Sequence, residues 1–138
     1  MIQENTCFIY AEMHLIFDND FDVYTIKQRL GIEPTDCKLR RETKISPLTN
    51  KQMEGFWTLK TEEKEERDLK IILDELMTKI DGKIQRIKEI CDENEGRVVF
   101  DIVPFFSSDN KPALYFERDF LYVVHYLNAT IQIDMYVG

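Results

Sequence analysis

Cysteine is scarce in this sequence. Cys7, Cys37 and Cys91 are odd in number, widely separated and outside any Cys-x-x-Cys pair, a pattern that suggests neither a disulfide framework nor a zinc site. Histidine is scarcer still, with only His14 and His125, each flanked by apolar residues inside a regular element. A Cys-His nucleophile would need spatial approach and a third group to orient the imidazole, and no nucleophile motif favours it. Long hydrophobic runs are missing, which excludes a membrane-spanning helix. Met1 to Thr6 shows neither the positive region nor the apolar region of a secretory leader, so the expected location is the cytoplasm. Basic charge is in deficit, 18 residues against 26 acidic ones for a net charge of -8. That field repels phosphate backbones and anionic membranes, so neither nucleic acid nor membrane is an expected partner. It accelerates association with a basic protein. Repeats, linkers and low-complexity segments are absent too, leaving one domain over residues 1–138.

What is present suits a single core. Hydrophobic residues make up 43% and aromatic residues 12% of 138, enough apolar surface to offset chain entropy and argue against disorder. Residues 7–17 alternate, with Cys7, Ile9, Ala11, Met13, Leu15 and Phe17 on one face and Phe8, Tyr10, Glu12, His14 and Ile16 on the other, predicting a long central strand. Asp22 is placed to cap a short helix carrying Val23, Ile26 and Leu30, with Phe21 and Ile26 as a hydrophobic staple. Gly31 stands where a left-handed stop is needed, and Pro34 follows.

The pattern weakens over 35–50, where 38–40 predicts a short edge strand and 46–50 a loop. Residues 55–60, with the single tryptophan, predict a strand, and Thr61-Glu62-Glu63 predicts the start of the next helix. Leu69, Ile72, Leu73, Leu76 and Ile80 recur at helical spacing, Asp81-Gly82 interrupts, and Ile84, Ile87 and Cys91 resume the stripe. Residues 97–103 and 113–116 predict a hairpin, 119–127 a helix, and 130–137 a terminal strand with Ile131, Ile133, Met135 and Val137 facing one way. The expected class is α+β, a mainly antiparallel sheet with helices on one face. A ferredoxin-like arrangement with an added strand-helix-strand fits this order.

Several side chains carry both a functional and a structural reading. Asp18 to Asp22 opens like a calcium loop but has Val23 where glycine belongs and Arg29 where a bidentate glutamate belongs, so turn and cap chemistry is preferred and no metal is expected. Lys38, Arg40, Arg41 and Lys44 form a basic cluster that either meets an anionic partner or is simply a solvated loop. The stretch Glu62 to Glu66, with Glu62 and Glu63 as its partner-binding candidates, either complements a helix dipole or faces a basic partner. Trp57 and Tyr136 suit either a core or an interface anchor, with core preferred for Trp57. Asp134, inside an apolar terminal strand, must face water or find donors. The open sheet face or an edge groove suggests a small-ligand site between Trp57, His14 and Tyr136. An acid–base pair of Asp134 with His14 or His125 ranks last, and no cofactor is expected.

Three stretches together resemble the bacterial domain-of-unknown-function family 4279 (DUF4279): Leu30-Gly31-Ile32-Glu33-Pro34-Thr35, Trp57 in a following strand, and Asn128 to Tyr136 at the end. The similarity in order and spacing covers nearly the whole chain. It implies a compact α+β domain without an established activity or catalytic residues, from a family whose members include suspected immunity proteins of toxin systems. The leading expectation is therefore a non-enzymatic interaction domain that binds a basic protein such as a cognate toxin. The alternative is a small-ligand sensor.

Overall fold

Alternation does make Cys7–Phe17 a strand, β1, whose odd-numbered residues are all buried while the even-numbered ones are half-buried. The chain is described here by a computed structural model covering residues 6–138, so Met1 to Asn5 of the leader argument lie outside the described residues. After β1, the Asp22 carboxylate accepts the Tyr24 N–H at 3.0 Å and opens a 3-10 turn, Val23–Thr25, that runs into helix α1, Ile26–Leu30. Gly31 ends it at φ 70°, donating its N–H to Lys27 O at 2.8 Å. That left-handed conformation is the one expected of a helix-stopping glycine.

Strand β2, Asp36–Lys38, is followed by a 3-10 turn at Arg40–Glu42 and strand β3, Gly55–Lys60. The chain is pinned closely where β3 starts: a Cβ on Gly55 would meet Arg40 N at 2.9 Å and Lys38 O at 3.1 Å. The expected helix start at Thr61 is not found. Thr61 instead continues the pairing with β1, its N–H donating to Ala11 O and its hydroxyl accepting the Ala11 N–H, each at 3.0 Å. Glu62 and Glu63 are exposed and without regular structure before a short strand β4, Lys64–Glu65. The helix α2, Leu69–Lys79, begins later, capped by Asp68 through the Lys70 N–H.

The Asp81-Gly82 interruption separates α2 from α3, Ile84–Glu93, and Gly82 takes φ 74°. Strand β5, Gly96–Phe106, is longer than the run 97–103 suggested. The expected hairpin from β5 to 113–116 does not form. Ala113 bridges to the start of α2 instead, with Ala113 N–H on Arg67 O at 2.7 Å and Leu69 N–H on Ala113 O at 3.1 Å. Helix α4, Arg118–Tyr126, leads to β6, Thr130–Ile133, and β7, Tyr136–Val137. The single terminal strand is thus broken at Asp134 and Met135. Of the set expected to face one way only Ile131 packs against the core, whereas Ile133, Met135 and Val137 are exposed.

The sheet runs β2-β3-β1-β5-β6, with β4 also on β1 and β7 on β5. Its pairs are antiparallel apart from β6 and β7, which lie parallel to β5. The parallel pairing follows from α4, which carries the chain back along the sheet before β6 begins. The odd face of β1 joins Trp57, Phe100, the apolar stripes of α2 and α3, and Phe120 in one buried cluster. Each large side chain there contributes about 1.5–3 kcal/mol by leaving water. Helices on one face of a mostly antiparallel sheet make the class α+β. Among the described residues no helix is long and apolar enough to cross a membrane.

Candidate functional site

Polar chemistry collects on the opposite face of the sheet. Register brings it together: Glu12 and His14 are two apart on β1 and so share a face. Glu12 lies opposite Asp101 of β5 on one side and Lys60 of β3 on the other, and His14 lies opposite Thr58. Glu12, His14 and Asp101 each place one potential ligand atom within 4.8 Å of the other two. His14 Nε2 is 3.9 Å from Glu12 Oε1, with the two side chains 22% and 20% exposed, enough for solvent to reach the cluster from one side.

Two details give the cluster direction. His14 Nδ1 lies 2.7 Å from Thr58 Oγ1, and Thr58 is buried. In the tautomer with Nδ1 protonated, the ring donates to that hydroxyl and its Nε2 lone pair points toward the carboxylates. Asp101 Oδ1 is buried without a hydrogen-bond partner. Burial pushes the Asp101 carboxyl up from its ordinary range, nearby His14 pulls it down, and the Asp134 charge pushes it up again. The neighbouring cation does not reach Glu12, because Lys60 Nζ sits over the Tyr10 ring, 4.1 Å from its centroid.

A concavity of about 640 Å³ opens beside this cluster, lined by Glu12, His14, Ile16, Phe56, Thr58 and Lys60 on the sheet. Thr35, Asp36, Lys38, Thr43, Lys44, Met53 and Glu54 form its other wall. Local hydrogen bonds hold that wall in place: Ser46 N–H reaches Lys51 O at 2.8 Å, Met53 N–H reaches Lys44 O at 3.0 Å, and the Gln52 side chain donates to Thr43 O. Arg97 fastens its end to the sheet by bonding Glu54 at 2.9 Å and Asp18 at 3.3 Å. The lining therefore combines apolar area with three lysines, a histidine and three carboxylates, Glu12, Asp36 and Glu54, of which Glu54 is already held by Arg97.

A family model described as "Domain of unknown function (DUF4279)" matches residues 8–138. The chain belongs to this family. No curated protein and no solved structure matches it.

Within this DUF4279 domain, the residues singled out from sequence separate widely. Trp57 is fully buried on the helix-covered face opposite Leu15, which settles its core reading and removes it from any surface site. The proposed trio of Trp57, His14 and Tyr136 is therefore not assembled. Tyr136 does share the open face but pairs with Phe105, stacked at 4.7 Å, and Phe105 lies opposite Phe8. Six positions along β1 separate Phe8 from His14, roughly 20 Å. Asp134 is exposed and accepts the Tyr136 hydroxyl at 3.0 Å, which resolves its environment as water plus a local donor. His125 is exposed on α4, in the layer covering the other face, and cannot join Asp134 or His14 in acid–base work. Arg40 and Arg41 occupy the 3-10 turn, while Lys38 and Lys44 of the same basic cluster reach the concavity.

Sequence reasoning missed Glu12 as a partner of His14 and missed Asp101 altogether. The signals were present: Glu12-x-His14 on the polar side of an alternating strand, and Asp101 as the lone carboxylate within the run Val98-Val99-Phe100-Asp101-Ile102-Val103.

Proposed function

We propose that the domain binds a small ligand with an anionic group and an apolar body, in the concavity between the open sheet face and residues 43–54. The carrying observation is the lining of that 640 Å³ space. Its size falls in the range of small-molecule sites, about 300–1,000 Å³, and it pairs apolar walls with a few convergent polar groups. Ile16, Phe56 and Met53 offer apolar contact, and Lys38 and Lys44 supply exposed positive charge at the rim. Across the whole lining three lysines balance Glu12, Asp36 and Glu54, so an anion is held by contact with Lys38 and Lys44 at the rim, Glu54 being already paired with Arg97, against a chain whose net charge of -8 repels it at long range.

The test is a thermal-shift screen of carboxylate- and phosphate-bearing metabolites. A ligand at a hundred times its Kd stabilises the fold by about 2.7 kcal/mol. The shift should disappear in the double variant Lys38→Glu, Lys44→Glu, whose two exposed side chains leave the core untouched. Absence of any shift across the screen, or a shift indifferent to the double variant, counts against this site. Tryptophan fluorescence is a poor reporter, because Trp57 lies on the far side of the sheet.

A second reading, a protein-binding domain that takes a basic partner such as a cognate toxin, is favoured by the C-terminal edge. Ile133, Met135, Tyr136 and Val137 are exposed together there on an acidic chain. Co-purification that weakens with added salt and on reversing Glu62 and Glu63 to lysine would support it. A partner captured equally well at both salt levels would remove the electrostatic argument.

A further inference from the structure

We infer that Glu12, His14 and Asp101 form a binding site for one divalent transition-metal ion, of the Zn2+ or Mn2+ kind. Three independent features meet there. Glu12 and Asp101 are direct cross-strand neighbours on one face, an arrangement in which like charges destabilise a sheet. Asp101 Oδ1 is buried with no donor, and a buried acceptor left unmatched is costly. His14 is held through Nδ1 by Thr58 at 2.7 Å, leaving Nε2 facing Glu12. A cation at the centre of the three side chains answers the first two and uses the third.

The donor set also selects the kind of ion. An imidazole nitrogen favours first-row transition ions over magnesium and calcium, which prefer all-oxygen sites. Two carboxylates and one neutral imidazole match the double charge of such an ion. Three protein ligands leave at least one coordination position open, as catalytic and ligand-exchanging sites do and closed structural sites do not. Cis ligands about 2.1 Å from an ion stand about 3–3.5 Å apart. The donor atoms already lie within 4.8 Å of one another, so side-chain rotation closes the shell without shifting strands.

The Thr58 contact is the outer support that metal-bound histidines use to fix ring orientation and tautomer. Thr58 is on β3 while the three ligands are on β1 and β5, so the site spans the three central strands of the sheet. The open position faces the concavity, which Glu12 and His14 themselves line. The inference does not depend on the organic ligand proposed above, because the ion alone is the probe.

The experiment dialyses the protein against chelator, removes the chelator, and titrates Zn2+, Mn2+ and Mg2+ separately by calorimetry and thermal melting. One Zn2+ or Mn2+ per chain with a raised Tm, and little response to Mg2+, is the expected result. Thr58→Val should weaken binding by roughly 10- to 100-fold. His14→Gln and Asp101→Asn should weaken it further, while Cys37→Ser should leave it unchanged. Co2+ should give a spectrum free of thiolate charge-transfer bands. Failure of every ion to bind at millimolar concentration overturns the site. So does binding that persists in both His14→Gln and Asp101→Asn, or that vanishes in Cys37→Ser. Glu12→Gln replaces either ligand variant that fails to fold.

Discussion

Asp101→Asn should make the metal-free protein more stable. Substitution of a charged strand residue is ordinarily neutral or harmful, so the sign is informative. In the wild type, Asp101 lies opposite Glu12 with Oδ1 buried and unmatched. Removing one of two opposed like charges recovers about 0.2–1 kcal/mol. The new amide N–H can donate to Glu12, and a net intramolecular hydrogen bond is worth about 0.5–1.5 kcal/mol. Allowing for the partial solvent access of the cluster, we expect about 1 kcal/mol. Unfolding entropy near 2.1 cal/mol/K per residue gives about 290 cal/mol/K for 138 residues, so the expected rise in Tm is about 3 °C.

The assay is calorimetric melting at pH 7 with chelator present, alongside Asp134→Asn as a control. Asp134 is exposed and already bonded to Tyr136, so its substitution should stay within about 0.5 kcal/mol, the range of ordinary surface changes. A lower Tm for Asp101→Asn would mean that the ionised carboxylate is well satisfied in the metal-free fold. That result would refute the repulsion argument and weaken the case for a cation. With Zn2+ or Mn2+ added the order should invert, the wild type gaining stability and the variant gaining none.

Glu75 supplies a pH test. Burial opposes its ionisation, but the Lys64 ammonium and the Glu62 N–H hold its carboxyl below the usual carboxylate range. A depressed acid stabilises the fold above its unfolded pKa, and that contribution disappears as pH falls through the folded value. Glu75→Gln should therefore cost roughly 0.5–1 kcal/mol at pH 7, and the cost should shrink as pH falls below the usual carboxylate range and the folded carboxyl takes up its proton; urea unfolding along a descending pH series distinguishes this from a pH-independent loss. For the thiols, burial pushes Cys91 up to about 12, Cys7 is buried as well, and Cys37 is only half-buried. A chromogenic disulfide reagent at pH 8 should titrate Cys37 alone in the native protein and all three after denaturation, and a second fast native thiol would contradict the burial.

The elements most legible in sequence are those whose signals are local. Alternation over 7–17 identified β1 and its buried face, the Asp22 cap and Gly31 stop bracketed α1, and Asp81-Gly82 marked the joint between α2 and α3. Errors arose where a long-range partner outweighed the local pattern. Thr61 has the chemistry of a helix cap, yet its hydroxyl is used by Ala11, fifty residues away. Ala113 to Phe116 has strand-like composition, but its backbone partner is the start of α2 and no neighbouring strand is offered to it. The site was half legible for the same reason. Glu12 and His14 are adjacent on a strand face and could be paired by eye, whereas the closeness of Asp101 depends on the register of β1 against β5. No sequence spacing between residues 12 and 101 carries that information.

One strand therefore serves both faces of the molecule. The odd residues of β1 build the core with Trp57, Phe100 and the helices, and their burial supplies stability that the even residues do not need to add. Glu12 and His14 occupy even positions where a β-branched or aromatic residue would pair better with its neighbours. Placing two carboxylates opposite one another at the centre of the sheet lowers stability unless something positive lies between them. Lys60 is the cation in register to do so, yet its ammonium sits over Tyr10. The charge opposing Glu12 and Asp101 must then come from His14 or from solution. A protonated His14 would still donate through Nδ1 to Thr58 but would have no Nε2 lone pair to offer a ligand. An ion from solution puts that lone pair to use, and it places an open coordination position beside a concavity whose rim lysines suit an anion.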